Sequence, residues 1–198
     1  PALTILVATT QGLKMHGGVP VEAIKEPNIE GLKEGVKNLD RHIKNLQGFG
    51  QTVVVCFNRY AADTDEEIEF CRQHCAEMGI GFAVNNAFNE GGAGAEELAN
   101  LVVNIIEETP SQPLVYAYSD EQSIEEKAQE VVRKVYGGKG ATFTPAAKKM
   151  LQKIEELGLN HYPICIAKTQ YSFSADQKAY GVPEGFSAEA GKVQETVE

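Results

Sequence analysis

Two periods of apolar residues alternate along the first hundred positions. Residues 3–9 form an apolar, β-branched run that reads as a buried strand. After Pro27-Asn28 the apolar residues Ile29, Leu32, Val36, Leu39, Ile43 and Leu46 recur in steps of 3, 4, 3, 4 and 3. Those steps line one face of a helix, which Gly48 and Gly50 end. Residues 52–57 predict a second buried strand, and 80–84 a third. Between these two, Asp63-Thr64-Asp65-Glu66-Glu67 puts carboxylates and a hydroxyl where a helix dipole favours them, and Ile68, Cys71, Cys75 and Met78 make the inner stripe of that helix. Gly91-Gly92-Ala93-Gly94 leads into a helix carrying Leu98, Leu101, Val102, Ile105 and Ile106. This order implies an α/β fold, a parallel sheet with flanking helices and right-handed crossovers.

Beyond Thr109-Pro110 the pattern changes, and a domain boundary is expected there. A short apolar run at 114–118 precedes a helix opened by Ser123 with Glu126 three residues on, a capping box, and closed by Gly137-Gly138. Thr144-Pro145 opens another helix that reaches Gly158, and 164–167 reads as a last strand. The expected division is a parallel α/β segment over 1–110, a smaller α-rich subdomain over 111–186, and a flexible, frayed tail over 187–198.

Composition narrows the function classes. The net charge is −10, which argues against nucleic acid and anionic membrane surfaces, since a phosphate backbone needs a basic stripe. Small anions stay open, because backbone N–H groups at a helix start can hold them. With 42% hydrophobic residues and no long apolar run, the chain reads as an ordinary globular protein of the cytoplasm, with no bilayer span. It shows no signal peptide and no initiator Met, which reads as a processed or excised chain. The four cysteines, Cys56, Cys71, Cys75 and Cys165, suit a reducing compartment. Cys71, His74 and Cys75 share a short stretch, but a zinc site wants a fourth ligand and none is suitably spaced, so no metal is expected.

Ligands in such sheets sit beyond the C-terminal strand ends, so three loops matter. Thr9 to Gly18 reads as a polar loop holding Lys14, His16 and paired glycines; Lys14 either meets a phosphate or carboxylate, or is simply solvated. In Asn58-Arg59-Tyr60-Ala61-Ala62-Asp63, Asn58 offers a donor and an acceptor to a base edge and Tyr60 a flat ring, while Asp63 is a ligand or only a helix cap. After Val84, the loop Asn85 to Gly94 holds Phe88 outside any apolar period. That ring either packs under the loop or serves as a stacking platform, and Gly91, Gly92 and Gly94 resemble a phosphate cradle. No Gly-x4-Gly-Lys-Ser/Thr string exists; Gly137-Gly138-Lys139-Gly140 comes nearest but follows a helix. No Ser or Cys has a His and an acid arranged to make it a nucleophile.

Those loops also carry a family likeness. Val7-Ala8-Thr9-Thr10-Gln11-Gly12-Leu13-Lys14-Met15-His16-Gly17-Gly18 resembles a signature of formate–tetrahydrofolate ligases, as do Phe57-Asn58-Arg59-Tyr60 with Asp63-Thr64, Phe88-Asn89-Glu90-Gly91-Gly92-Ala93-Gly94, and Ala167-Lys168-Thr169-Gln170-Tyr171-Ser172. The resemblance implies a P-loop NTPase-like half-sheet and an enzyme that joins formate to tetrahydrofolate at the expense of ATP with Mg2+, through formyl phosphate. It implies that Tyr60 and Phe88 sandwich the folate ring, that Asn58, Asp63, Val84, Gly91, Gly92 and Gly94 line the folate and nucleotide sites, and that Lys14 and His16 are catalytic.

The chain also departs from the family pattern. Gln11 stands for Arg, Gly12 for Ala, Tyr60 for Phe, Ala61 for the common Pro and Phe88 for Trp. The N-terminal portion with the phosphate loop is absent, so the chain alone is expected to be inactive and to partner the missing portion or a second copy. A folate- or nucleotide-binding or interaction module without catalysis is the alternative reading.

Overall fold

The computed structural model describes residues 1–166, 172–174, 176 and 179–190. The backbone divides into two compact units, Pro1–Val115 and Tyr116–Glu198.

In the first unit, β1 (Thr4–Ala8), β2 (Val53–Asn58) and β3 (Gly81–Asn85) form a parallel sheet in that order. The register pairs Leu6 with Val55 and Val55 with Phe82. Central β2 is sealed on both faces, and no residue from Val53 to Phe57 exceeds 4% exposure. Helix α2 (Ile29–Gly48) lays Leu32, Val36, Leu39 and Ile43 over one sheet face, beside Ile68, Cys71 and Cys75 of α3 (Asp65–Glu77). Each such buried aliphatic side chain contributes about 1.5–3 kcal/mol relative to exposure. On the other face α5 (Glu96–Glu108) covers β3, with Ile105 and Leu101 against Gly81. It leaves edge strand β1 partly open, with Ile5 44% and Val7 56% exposed, so β1 is not the fully buried strand its composition predicts.

A second correction concerns residues 9–18, expected as a loop. Thr10–His16 is a helix, α1, whose first turn is capped by Thr9 Oγ1 accepting from Gly12 N at 3.0 Å. Leu13 then buries against the core. Helix α1 lies so close to α2 that a Cβ on Gly35 would stand 1.9 Å from the Leu13 carbonyl oxygen. A short helix, α4 (Ala87–Glu90), and a 3-10 turn over Gly91–Ala95 lead into α5.

The second unit holds α6 (Ile124–Val131), capped by the Ser123–Glu126 capping box, and α7 (Pro145–Glu156), capped by Thr144. Two short strands, β4 (Gly140–Phe143) and β5 (Ser187–Ala190), pair in parallel. Residues 187–190 are therefore part of a sheet and not of a frayed tail, because β4 supplies the backbone partners that their weakly apolar sequence does not advertise. Residues 164–166 are irregular instead of a strand, and Ala167 lies outside the described residues. Among the described residues, no helix is long and apolar enough to cross a membrane.

Candidate functional site

The C-terminal ends of β2 and β3 carry most of the residues singled out from the sequence. Asn58 and Asn85 are ladder partners at that edge. Asn85 Nδ2 donates to Asn58 Oδ1 at 2.8 Å, and the Arg59 N–H donates to the Asn85 carbonyl at 3.1 Å. The two loops thus leave the sheet stapled together. Tyr60 follows at 47% exposure, and Phe88 in α4 is 98% exposed. Phe88 therefore does not pack under its loop. Neither ring stacks on another ring among the described residues.

Asp63 is not the helix cap. Thr64 takes that place, with Glu67 completing a capping box. The buried Asp63 carboxylate accepts from the Tyr60 N–H at 2.8 Å and from the Thr10 hydroxyl, tying the Tyr60 turn to the start of α1. Both of its oxygens are used inside the protein, so Asp63 holds Tyr60 in place.

Lys14 lies at the opposite extreme from a solvated loop lysine. It is 1% exposed, and its ammonium donates to Glu67 Oε1 at 3.0 Å and to the Glu26 carbonyl at 2.9 Å. Glu67 also accepts from the Asn28 N–H at 2.8 Å. Burial pushes the Glu67 carboxyl up, but bonds from Asn28, Lys14 and Thr64 together with the Lys14 charge outweigh it and hold the group below its usual range. Lys14 is therefore spent on locking α1, the entry to α2, and α3 together, and does not line an open cleft as expected. The helix that forms over 10–16 turns it inward beside Leu13. His16 ends α1 half-buried, and burial pushes its imidazole below the usual range.

Val84 is half-buried, its N–H donating to Glu97 Oε2 at 3.3 Å. Of Gly91, Gly92 and Gly94, Gly94 is the one where a side chain would clash, since a Cβ there would stand 2.6 Å from the Asn86 carbonyl carbon. Gly91 and Gly92 have open space around them, but Gly91 sits at φ +61°, a backbone conformation that favours glycine, so packing and conformation leave only Gly92 free to vary. Two cavities of about 530 and 380 Å3 lie along α6 in the second unit, lined in part by Ser123 and Glu125, and none of the candidate ligand or catalytic residues borders them.

Cys71 and Cys75 are fully buried, and burial pushes their thiols up to about 12 and about 11. His74 Nε2 meets Asp40 Oδ1 at 2.7 Å. Among the described residues no group of His, Cys, Asp or Glu is arranged to hold a metal. The sequence reading missed Asn85, which alternates into the same sheet face as Cys56 and Asn58; its position one residue past the third apolar run was the signal. The Ala-Lys-Thr-Gln-Tyr stretch over 167–171 lies outside the described residues.

The chain matches the family described as "Formate--tetrahydrofolate ligase" over residues 1–197. It is 56% identical to the formate--tetrahydrofolate ligase of Bacteroides fragilis, across 94% of this chain and 34% of that protein. Against the enzymes of Bacteroides thetaiotaomicron and Parabacteroides distasonis the identity is 57% and 59%, with the same shares covered. The chain thus spans about a third of the length of the curated relatives it matches. With the strand-end residues of that resemblance gathered at one sheet edge and the match running along nearly the whole chain, this protein belongs to the formate--tetrahydrofolate ligase family.

Proposed function

We propose that this chain is the folate-holding portion of an ATP-dependent ligase that joins formate to tetrahydrofolate through formyl phosphate, giving 10-formyltetrahydrofolate, ADP and phosphate. The observation that carries the reading is the pair of exposed rings, Tyr60 and Phe88, on segments that follow adjoining strands stapled together by Asn58 and Asn85. A planar pterin is recognised by π faces, and each stacked ring is worth about 0.5–1.5 kcal/mol beyond the area it buries. At 98% exposure the Phe88 ring is open to a ligand face and is not spent on the core.

On this reading the sheet is half of a P-loop NTPase-like sheet, and the loops of the first 110 residues hold folate and nucleotide. Phosphoryl transfer needs fixed positive charge at the transferring group. Lys14 does not supply it, being paired with Glu67. That charge and the ATP–Mg2+ phosphate loop come from the rest of the ligase polypeptide, so the chain alone does not turn over ATP. Burial holds the His16 imidazole below its usual range and so favours its neutral form, in which it serves as a hydrogen-bonding group and not as a cation. The enzyme acts in the cytoplasm on small molecules.

Calorimetric titration of the chain with tetrahydrofolate and, separately, with MgATP tests the reading. Tetrahydrofolate binding that weakens in Phe88→Ala supports it. Equal affinity in the variant removes Phe88 from the site, and binding of neither ligand removes both ligand assignments.

A further inference from the structure

The hydrogen bonds at the sheet edge have a direction that the sequence does not display. The Ala87 N–H can only donate, and it donates to Asn85 Oδ1 at 3.2 Å. That contact fixes which end of the Asn85 amide faces the backbone, and leaves Asn85 Nδ2 to donate to Asn58 Oδ1 at 2.8 Å. The Cys56 thiol, a second donor, approaches the same Asn58 oxygen at 3.7 Å. Two donors therefore hold Asn58 Oδ1 toward the sheet. Asn58 Nδ2 takes no partner among the described residues and is left to the rim. The two ends of an amide differ little in size, so its orientation normally follows whatever network surrounds it. Here the network starts from a backbone group whose polarity cannot change.

We infer that Asn85 is a positioning residue that sets Asn58 as a hydrogen-bond donor, so that the rim selects a planar heterocycle presenting an acceptor at its edge. The inference rests on the proposed stacking between Tyr60 and Phe88 and adds which edge of the ring is read. A pterin offers such an acceptor in its 4-oxo group, and an adenine offers one in a ring nitrogen. If Asn58 and Asn85 only held two strand ends together, reversing the direction of the bond would leave ligand preference unchanged.

Asn85→Asp reverses it. The carboxylate still accepts from the Ala87 N–H, but its other oxygen faces Asn58 Oδ1, and Asn58 must turn Nδ2 inward and show its oxygen to the rim. Tetrahydrofolate and its 4-amino analogue, which carries a donor in place of the oxo group, are titrated against wild type and variant, with MgATP in parallel. The wild type is expected to prefer the 4-oxo ligand. The variant is expected to lose roughly tenfold in affinity for it and to shift toward the 4-amino ligand, because one polar group is left unpaired in each mismatch. Asn85→Ala, which frees Asn58 to turn either way, is expected to erase the preference without reversing it. If MgATP affinity responds and the folate ratio does not, the edge read is that of adenine. Unchanged affinities for all three ligands overturn the inference.

A ligand-free measurement keeps the inference apart from the stacking reading. The side-chain amide NMR signals of Asn58 should shift downfield and exchange more slowly in Asn85→Asp, as Nδ2 gains a carboxylate acceptor. Unchanged Asn58 signals overturn the inference whether or not any ligand binds. Shifted signals in a protein whose wild type binds neither ligand uphold the orientation of Asn58 and remove the stacking reading.

Discussion

The Lys14 ammonium and the Glu67 carboxylate meet at 3.0 Å with side chains 1% and 0% exposed, and they join α1 to α3 across 53 positions of sequence. Two charges in that setting are tolerated only because further bonds from Asn28 and to Glu26 satisfy what remains of each. Removing one partner leaves the other charged and buried. Lys14→Met is expected to lower unfolding stability by about 3–5 kcal/mol in urea titrations, with Lys14→Met/Glu67→Gln recovering part of the loss. A loss under about 1 kcal/mol would mean that water reaches the pair.

The acid limb of stability follows from the same network and from the histidines. Burial pushes His16 below its usual range, and burial with the His16 charge does the same to His42. The unfolded chain then takes up protons near its ordinary value of about 6.5 before the folded one does. Stability should fall as pH drops below about 6.5 and level off once the folded imidazoles are protonated. Glu67, held low, gives a second loss that begins as pH falls below about 4.3, its ordinary unfolded value, and completes as the folded carboxyl protonates. Urea midpoints from pH 8 to 3 should show both declines, and His42→Gln should shrink only the first.

Helix contact and helix propensity pull in opposite directions at Gly35. Alanine in a helix interior normally gains up to about 1 kcal/mol over glycine. Here its Cβ would stand 1.9 Å from a backbone oxygen of α1, so Gly35→Ala is expected to destabilise. Forcing the helices apart costs about 1–3 kcal/mol or more. Gly48, at the end of the same helix, has open space, and Gly48→Ala should be neutral or stabilising by a few tenths of a kcal/mol. Thermal melts of the two variants should move in opposite directions.

Phe88→Ala separates ligand binding from folding. A ring 98% exposed contributes little to the core, so stability should stay within about 0.5 kcal/mol of wild type. Tetrahydrofolate affinity should drop about three- to tenfold, matching one lost stack. Parallel melts and titrations read both; a large stability loss would show that the ring packs inside.

Local signals made much of the fold legible. The α2 stripe was readable because one helical face repeats in the sequence, and Leu32, Val36, Leu39 and Ile43 are all buried as that repeat implies. The Ser123–Glu126 capping box was readable because its partners lie three residues apart. The placement of Asn58, Tyr60 and Phe88 at or beyond the strand ends was legible, since they stand just past apolar runs. The roles of the site residues were not legible. Lys14 looked like a solvated or phosphate-facing cation, because nothing near it in sequence announces Glu67. Asp63 looked like a ligand residue or a cap, because its bond to Thr10 crosses 53 positions. Residues 187–190 looked like a tail, because their partner strand is Gly140–Phe143.

The sequence by itself determined the helices and strands that carry a clear apolar period or a local cap, such as α2, β2 and α6, and the family to which the chain belongs, because periodicity, caps and motifs are written in residues close to one another. Only the tertiary structure decided which polar groups are spent inside the protein and which face the rim. A charge or an amide has no fixed role until its partners are known, and the partners of Lys14, Asp63 and Asn58 come from distant segments that only folding brings within hydrogen-bond reach.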